Sequence, residues 1–354
     1  MASQSPAGGA PGGGGAQAPP SGPPYLLPVA QLGGTPTKAV DVPICAVLVA
    51  IFVAGAALNM TIFRRNRGRG HKFIPSAAVF GFCMARINAA ALRIASACHP
   101  TNVSLAIAAA IFFNAGVLIL FIINLIFLQR FVRAYHPRLG WGRPLTFAFR
   151  FLYFCVFACL VMVITSVVYG FYTLDQAVQA KLTDIRRTAA VYMAILAFIP
   201  LPGTILCVLA ARGRPPVDPF GAGSVRTKIA LVLFTTSLLS LGAGFRCALG
   251  FMPRPLTNPG WFNHKACYYC LNYLVEVIVV FTYALSRFDR RFWVPNGSSK
   301  PGHYSSGGPA ADAQKQEGEI TPEEERIPTA DEERQREKSW ERHLKSELQV
   351  KEAV

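Results

Sequence analysis

The chain has 354 residues, 52% of them hydrophobic and 15% charged, with a mean hydropathy of +0.34 and a formal net charge of +16. Soluble domains carry nearer ~25% charged residues, so the composition excludes an ordinary water-soluble globule and points to lipid as the solvent. The basic residues form short clusters between apolar runs, a pattern of membrane topology rather than of a nucleic-acid-binding surface.

Residues 1–40 are mainly Gly, Pro, Ala and Ser, with Lys38 as the single basic residue. Such a segment buries too little apolar surface to fold, and it is expected to form a disordered extracytoplasmic tail. No removable signal peptide is expected, so the first apolar run serves as a signal anchor. Seven segments then meet the requirement of about 20 mainly apolar residues for a bilayer crossing: 42–63, 73–96, 103–128, 145–170, 189–210, 229–250 and 266–286. The fold expected is all-α, a polytopic seven-transmembrane helix bundle occupying 41–293. Residues 294–354 follow as a charged, disordered cytosolic tail, in which Thr329 to Glu332 reads as a capping box and Trp340, Leu344 and Leu348 fall at helical spacing.

Orientation follows from the Lys and Arg of the short loops. The odd-numbered loops and the flank after the last span carry 17, from Arg64 to Lys300, against six on the other side (Lys38, Lys181, Arg186, Arg187, Arg254 and Lys265). The N-terminus is therefore expected outside and the C-terminus in the cytosol, in either the plasma membrane or an endomembrane.

Ionisable groups inside a span are costly unless paired or wet. Arg86 and Arg93 are seven residues apart, two turns, on one face of the second span. Arg246 falls in the outer half of the sixth span, and Glu276 is the one acid within the predicted spans. At about 1.5 Å rise per residue, Arg86 and Glu276 come closest in depth, which predicts an ion pair. Arg93 and Arg246 then lie nearer the outer mouth, and Asn114 and Asn272 are placed to satisfy the remaining donors. Such a cluster could hold an anionic headgroup or carboxylate, let Glu276 couple to protons, or simply fix helix order. Gly81, Ala85 and Ala89 recur every four residues as a small-residue packing ridge. Ile199 to Gly203 (IPLPG) should interrupt the fifth span.

Cys98, His99, His264, Cys267 and Cys270 share the outer face. A Cys98–Cys267 disulfide, a metal site and unpaired thiols are the three readings there; His264-x-x-Cys267-x-x-Cys270 has ligand-like spacing, but thiols outside the cell tend to oxidise, and no resident metal and no cofactor are expected. Leu128 to Arg133 and Leu285 to Arg290 match as L-x-R-F-x-R, which would suit parallel repeats about a central span. Neither a nucleophile elbow, a phosphate loop nor a zinc-protease motif occurs, and one intramembrane acid cannot form a carboxylate pair, so no enzymatic activity is expected.

Several strings resemble a family of uncharacterised fungal seven-span membrane proteins that carries a family-C-like receptor label: GHKFIPSAAVFGFCMARI (70–87), PTNVSLAIAAAIFFNAGVLILFIINLIFLQR (100–130), LGAGFR (241–246), WFNHKACYYCLNY (261–273) and RRFWVPNGSSKPG (290–302). The outline, seven spans with the N-terminus out, is also similar to the fungal lipid-translocating exporter family. The resemblance implies a receptor-like protein sensing a small molecule or lipid, with a cytosolic signalling partner on its loops and C-terminal tail. The alternatives are a transporter or lipid exporter with a site at Arg86 and Glu276, and a membrane scaffold. In each case the lipid bilayer is a partner and nucleic acid is not.

Overall fold

Hydrocarbon offers no hydrogen-bond partner to a backbone, so apolar runs of this length must satisfy their amides internally, as helices. The computed structural model describes residues 22–25, 29–212, 214–307, 334 and 338. Its helices are α1 (Lys38–Gly68), α2 (Ile74–Cys98), α3 (Val103–Tyr135), the short α4 (Pro137–Gly140), α5 (Arg143–Gly170), α6 (Gln176–Phe198), α7 (Pro200–Ala210) and α8 (Val225–Phe251). A last crossing is built from the short α9 (Lys265–Tyr268), a π-helical segment over Tyr269–Leu274 and α10 (Val275–Leu285), followed by the short α11 (Phe288–Arg291). Counting α6 with α7 and α9 with α10, seven helical segments are long and apolar enough to cross a membrane. Among the described residues there is no strand, only an isolated antiparallel bridge between Val29 and Pro255.

Helix α3 is the centre of the bundle, touching α2, α5, α6, α7 and α8, while α10 packs between α1 and α8 and closes the ring. The lower half of α3, from Val117 to Tyr135, has no exposed residue and is mostly buried. There the rings of Phe127, Phe131, Phe220, Tyr283, Phe288 and Phe292 pack, mostly tilted or edge to face, at centroid distances of 4.4 to 6.3 Å and seal the end of the bundle away from the N-terminus. Within this half Asn124 Oδ1 accepts from Tyr283 OH at 2.7 Å and Thr235 Oγ1 at 3.3 Å. On the outside, Phe147, Phe151, Phe154 and Phe157 of α5 are exposed at helical spacing, as expected of a face turned to lipid tails.

Three expectations are corrected. The fifth crossing begins at Gln176 rather than near 189, because Asp175 caps it by accepting from the Ala177 amide at 2.8 Å. Arg186 thus lies inside a helix and not in a loop. As expected, the prolines interrupt the ladder of this crossing: α6 ends at Phe198 and α7 begins at Pro200, and Pro200 and Pro202 have no amide to donate to Leu196 O and Phe198 O. Around them Ile199 keeps α-helical dihedrals, its amide donates to Ile195 O at 2.9 Å, and Gly203 N donates to Ile199 O at 3.0 Å. Gly203 lets this turn lie directly on α3, since a Cβ there would meet Leu128 at 2.8 Å. The two L-x-R-F-x-R strings have different backbones, Arg130 in the interior of α3 and Arg287 in a left-handed turn with φ 52°, so they are not a structural repeat. Of the small-residue ridge on α2, Ala85 meets Gly116 of α3, whereas a Cβ on Gly81 would face open space.

The expected N-terminal tail is also structured in its last part. Ala30 N donates to Arg254 O at 2.8 Å, Gly33 N to Asn263 O at 3.0 Å, and Asn263 Nδ2 to Ala30 O at 3.3 Å. These bonds hold residues 29–36 across the N-terminal end of the bundle, because backbone partners from the α8–α9 connection replace water there. Residues 295–307 form a separate run of turns, in which Ser299 N donates to His303 Nδ1 at 3.3 Å. The capping box at Thr329 to Glu332 and the helical spacing from Trp340 to Leu348 lie outside the described residues, as do residues 1–21.

Candidate functional site

The intramembrane charges resolve into two paired centres and one unpaired set. In the first centre Arg86 and Glu276 form a two-pronged pair: Nε donates to Oε2 and NH2 to Oε1, both at 2.5 Å. The third donor, NH1, goes to Phe113 O at 2.7 Å. Phe82, Phe113 and Tyr273 surround the guanidinium at 5.0 to 5.4 Å, each ring face offering a further electrostatic attraction. Arg86 is 0% exposed.

Asn114 and Asn272 do not complete this pair. Each donates its amide back to its own helix, to Ala110 O at 2.8 Å and Tyr268 O at 3.1 Å. The Phe113 carbonyl takes the place expected for them, because a backbone oxygen can accept a second bond without leaving its helix.

The second centre gathers on Asp41, in the first turn of α1, where the positive end of the helix dipole favours a carboxylate. Its Oδ1 accepts from Arg93 Nε at 2.8 Å and Tyr269 OH at 2.7 Å. Its Oδ2 accepts from Lys265 Nζ at 2.5 Å and the Thr37 amide at 2.7 Å. Arg93 NH2 also donates to Gly33 O at 2.8 Å, which ties the structured N-terminal segment to α2. Tyr268 lies under the Arg93 guanidinium at 4.3 Å. Sequence reasoning missed Asp41 and Lys265: both fell outside the predicted spans and were read as flanks. The signal available was an acid at the mouth of an apolar run, at the depth of Arg93.

The π-helical segment Tyr269–Leu274 links these centres. It carries Tyr269 to Asp41 and Tyr273 to Arg86, and Gly242 of α8 lets the Leu271 carbonyl come close, where a Cβ would stand 2.9 Å away. Isolated π turns recur at functional sites in helical proteins.

Between the two centres and α5, α6 and α8 lies a cavity of about 360 Å³. Small side chains on three helices create it at one depth: Ala106, Ala109 and Ala110 on α3, Ala189 and Ala190 on α6, and Ala243 on α8. Leu160, Val163 and Val167 of α5 with Met193 of α6 give it an apolar wall, and Phe121 is the deepest α3 residue on its lining. Gln31, Leu32 and Pro36 of the N-terminal segment form part of its roof.

Three cations face this space and, among the described residues, no carboxylate lines it: Arg93, already paired with Asp41, and Arg186 and Arg246, neither of which has an acid within ion-pair distance. Arg186 donates to Thr183 Oγ1 at 3.2 Å, and the Arg246 guanidinium stands 5.9 Å from the Phe113 ring, with no hydrogen bond of its own among the described residues. Arg86 and Glu276 are not on the lining. Sequence reasoning placed Arg246 at the outer mouth but counted Arg186 as a loop charge; the alanine clusters at matching depth were the unused signal for a void.

Cys98 and Cys267 are free thiols, so the disulfide reading is corrected. Cys98 ends α2 and is exposed, whereas Cys267 turns its Sγ toward Trp261 O at 3.8 Å. Among the described residues no three His, Cys, Asp or Glu side chains converge as a metal-binding group.

A family described as a protein of unknown function, DUF3112, matches residues 224–293. That stretch runs from α8 through α11 and supplies Arg246, Lys265, Tyr269 and Glu276 to the features above. No curated protein and no solved structure matches the chain.

Proposed function

We propose that this integral membrane protein is receptor-like and senses a small molecule or lipid taken into the cavity between α2, α3, α5, α6 and α8. One observation carries the reading: a preformed, mainly apolar pocket of a size typical for small ligands (roughly 300–1,000 Å³) with a few cations on its wall. With the N-terminus outside, as the basic loops favour, the cavity lies in the outer half of the bilayer. The Phe127–Phe292 cluster fills the opposite half, a layout suited to binding from one side and reporting to the other rather than to a through-path. At the proline interruption of the fifth crossing, a feature that would favour transport if it opened the backbone, the Ile199 and Gly203 amides keep their helical hydrogen bonds although Pro200 and Pro202 donate none.

The test is to purify the full chain and an Ala109→Leu variant in nanodiscs and profile the small molecules and lipids each retains. A species held by the wild type and lost from the filled variant is expected; identical profiles refute the pocket. In sealed proteoliposomes the retained species should bind without net transfer. Net accumulation would replace the receptor reading with a transporter.

A further inference from the structure

From the unpaired guanidiniums we infer that the occupant of this cavity is an anionic single-chain amphiphile, its carboxylate or phosphate seated against Arg246 and Arg186 and its chain along α5 and α3. The inference rests on the cavity reading above and adds the ligand's chemistry to it.

A guanidinium removed from bulk water is stabilised by a counter-charge and by acceptors for its donors, and without them it costs several kcal/mol. This protein supplies both to the two arginines it buries within the crossings. Arg86 receives Glu276 and the Phe113 carbonyl, and Arg93 receives Asp41 and the Gly33 carbonyl. Arg246 and Arg186 are half-buried on the cavity wall, where Arg246 receives a ring face alone and Arg186 one hydroxyl. Both line the same cavity. The cavity therefore has two positive charges awaiting an acceptor, and any anion within it also feels Arg93, whose counter-ion Asp41 is shared with Lys265.

The remaining wall excludes a small hydrophilic anion as the whole ligand. Leu160, Val163 and Val167 of α5, with Val117 and Phe121 of α3, present hydrocarbon to the rest of the space. Taking about 30 Å³ per water-sized group, 360 Å³ accommodates roughly a dozen such groups. That is the bulk of a medium-length chain with one charged head. Bidentate recognition by arginine suits the planar carboxylate and the phosphate alike.

The experiment uses the full chain in phosphatidylcholine nanodiscs and four probes: dodecanoate, dodecyl phosphate, dodecanol and acetate. Dodecanoate or dodecyl phosphate should bind, and the tighter of the two names the headgroup. Acetate, which lacks the chain, and dodecanol, which lacks the charge, should bind at least about tenfold more weakly, the loss expected when a charge-assisted hydrogen bond or the apolar contact is removed. Arg246→Gln should reduce affinity for the anionic probe by about tenfold or more. It should leave thermal stability equal to or above that of the wild type, because it deletes an unpaired charge. Arg186→Gln should act in the same direction.

Equal binding of dodecanol and dodecanoate, both lost in Ala109→Leu, would overturn the anionic inference while leaving the pocket in place. Binding of dodecanoate that survives Ala109→Leu would place it outside the cavity and overturn both. An Arg246→Gln variant that melts well below the wild type, with affinity unchanged, would assign this arginine to the fold instead.

Discussion

Replacing Glu276 with Gln tests the first charge centre directly. The carboxylate accepts two hydrogen bonds at 2.5 Å from a guanidinium that is fully buried. A carboxamide offers one oxygen in place of two and no negative charge, and its amino group would face the Arg86 donors. Arg86 would keep Phe113 O and three aromatic faces but remain positively charged in a site with no other acid at hand. Removing one partner of a buried pair costs about 3–5 kcal/mol, which for a domain of this size lowers Tm by roughly 6–20 °C. Thermal unfolding of the purified protein, followed by intrinsic fluorescence or by thiol reactivity of the buried Cys83, reads this out. The companion variant Arg86→Met with Glu276→Leu removes both charges for similar volume and should recover most of the loss, since the desolvation cost of the pair disappears with it. A single substitution costing under about 1 kcal/mol, or a double variant no more stable than the single one, would refute the assignment of this pair as a mainly desolvated, mutually dependent unit.

Asp41→Asn should lower stability by about 2–4 kcal/mol, because Arg93 and Lys265 lose their shared acid; Lys265→Met, which removes the half-exposed partner, should cost no more than about 1 kcal/mol, as measured in the same melts. Gly33→Ala places a Cβ 2.7 Å from Tyr268 Cγ at a φ of +82° and should cost about 1–3 kcal/mol, with faster hydrogen exchange confined to residues 29–36. A membrane-impermeant maleimide added to intact cells should label the exposed Cys98 and Cys270, with no change of gel mobility on reduction; labelling only after permeabilisation would reverse the proposed orientation.

Hydropathy made the seven crossings legible because each apolar run must hide its own backbone, and depth counting brought Arg86 to Glu276 because both lie well inside a run. The structure departs from the sequence reading where a residue's role depends on elements that meet only in three dimensions. Asp41 belongs to no predicted span, yet α1, α2 and the last crossing converge on it. Arg186 was hidden by the polar face of α6, whose residues 176–188 lower the local hydropathy although Asp175 signals a helix start. The cavity has no motif at all: its alanines are ordinary helix formers, and only their shared depth on α3, α6 and α8 reveals the void. The π turn likewise leaves no mark in the residues Tyr269 to Leu274, since it is set by what surrounds them.

That π turn has a consequence for how the last crossing can vary. In an α-helix each residue advances the side-chain direction by about 100°, whereas a π turn takes up one residue more for the same rise. The segment therefore acts as a phase adjuster between two fixed bearings, Asp41 and Arg93 on one side of it and Arg86 on the other. Deleting a single residue from 269–274 would straighten the crossing into regular α-helix. With Glu276 held in place by Arg86, the part before it would rotate by roughly a quarter turn, swinging Lys265 off Asp41 and Tyr268 off the cavity wall. Within this crossing, chain length rather than side-chain identity sets whether both charge centres can close at once.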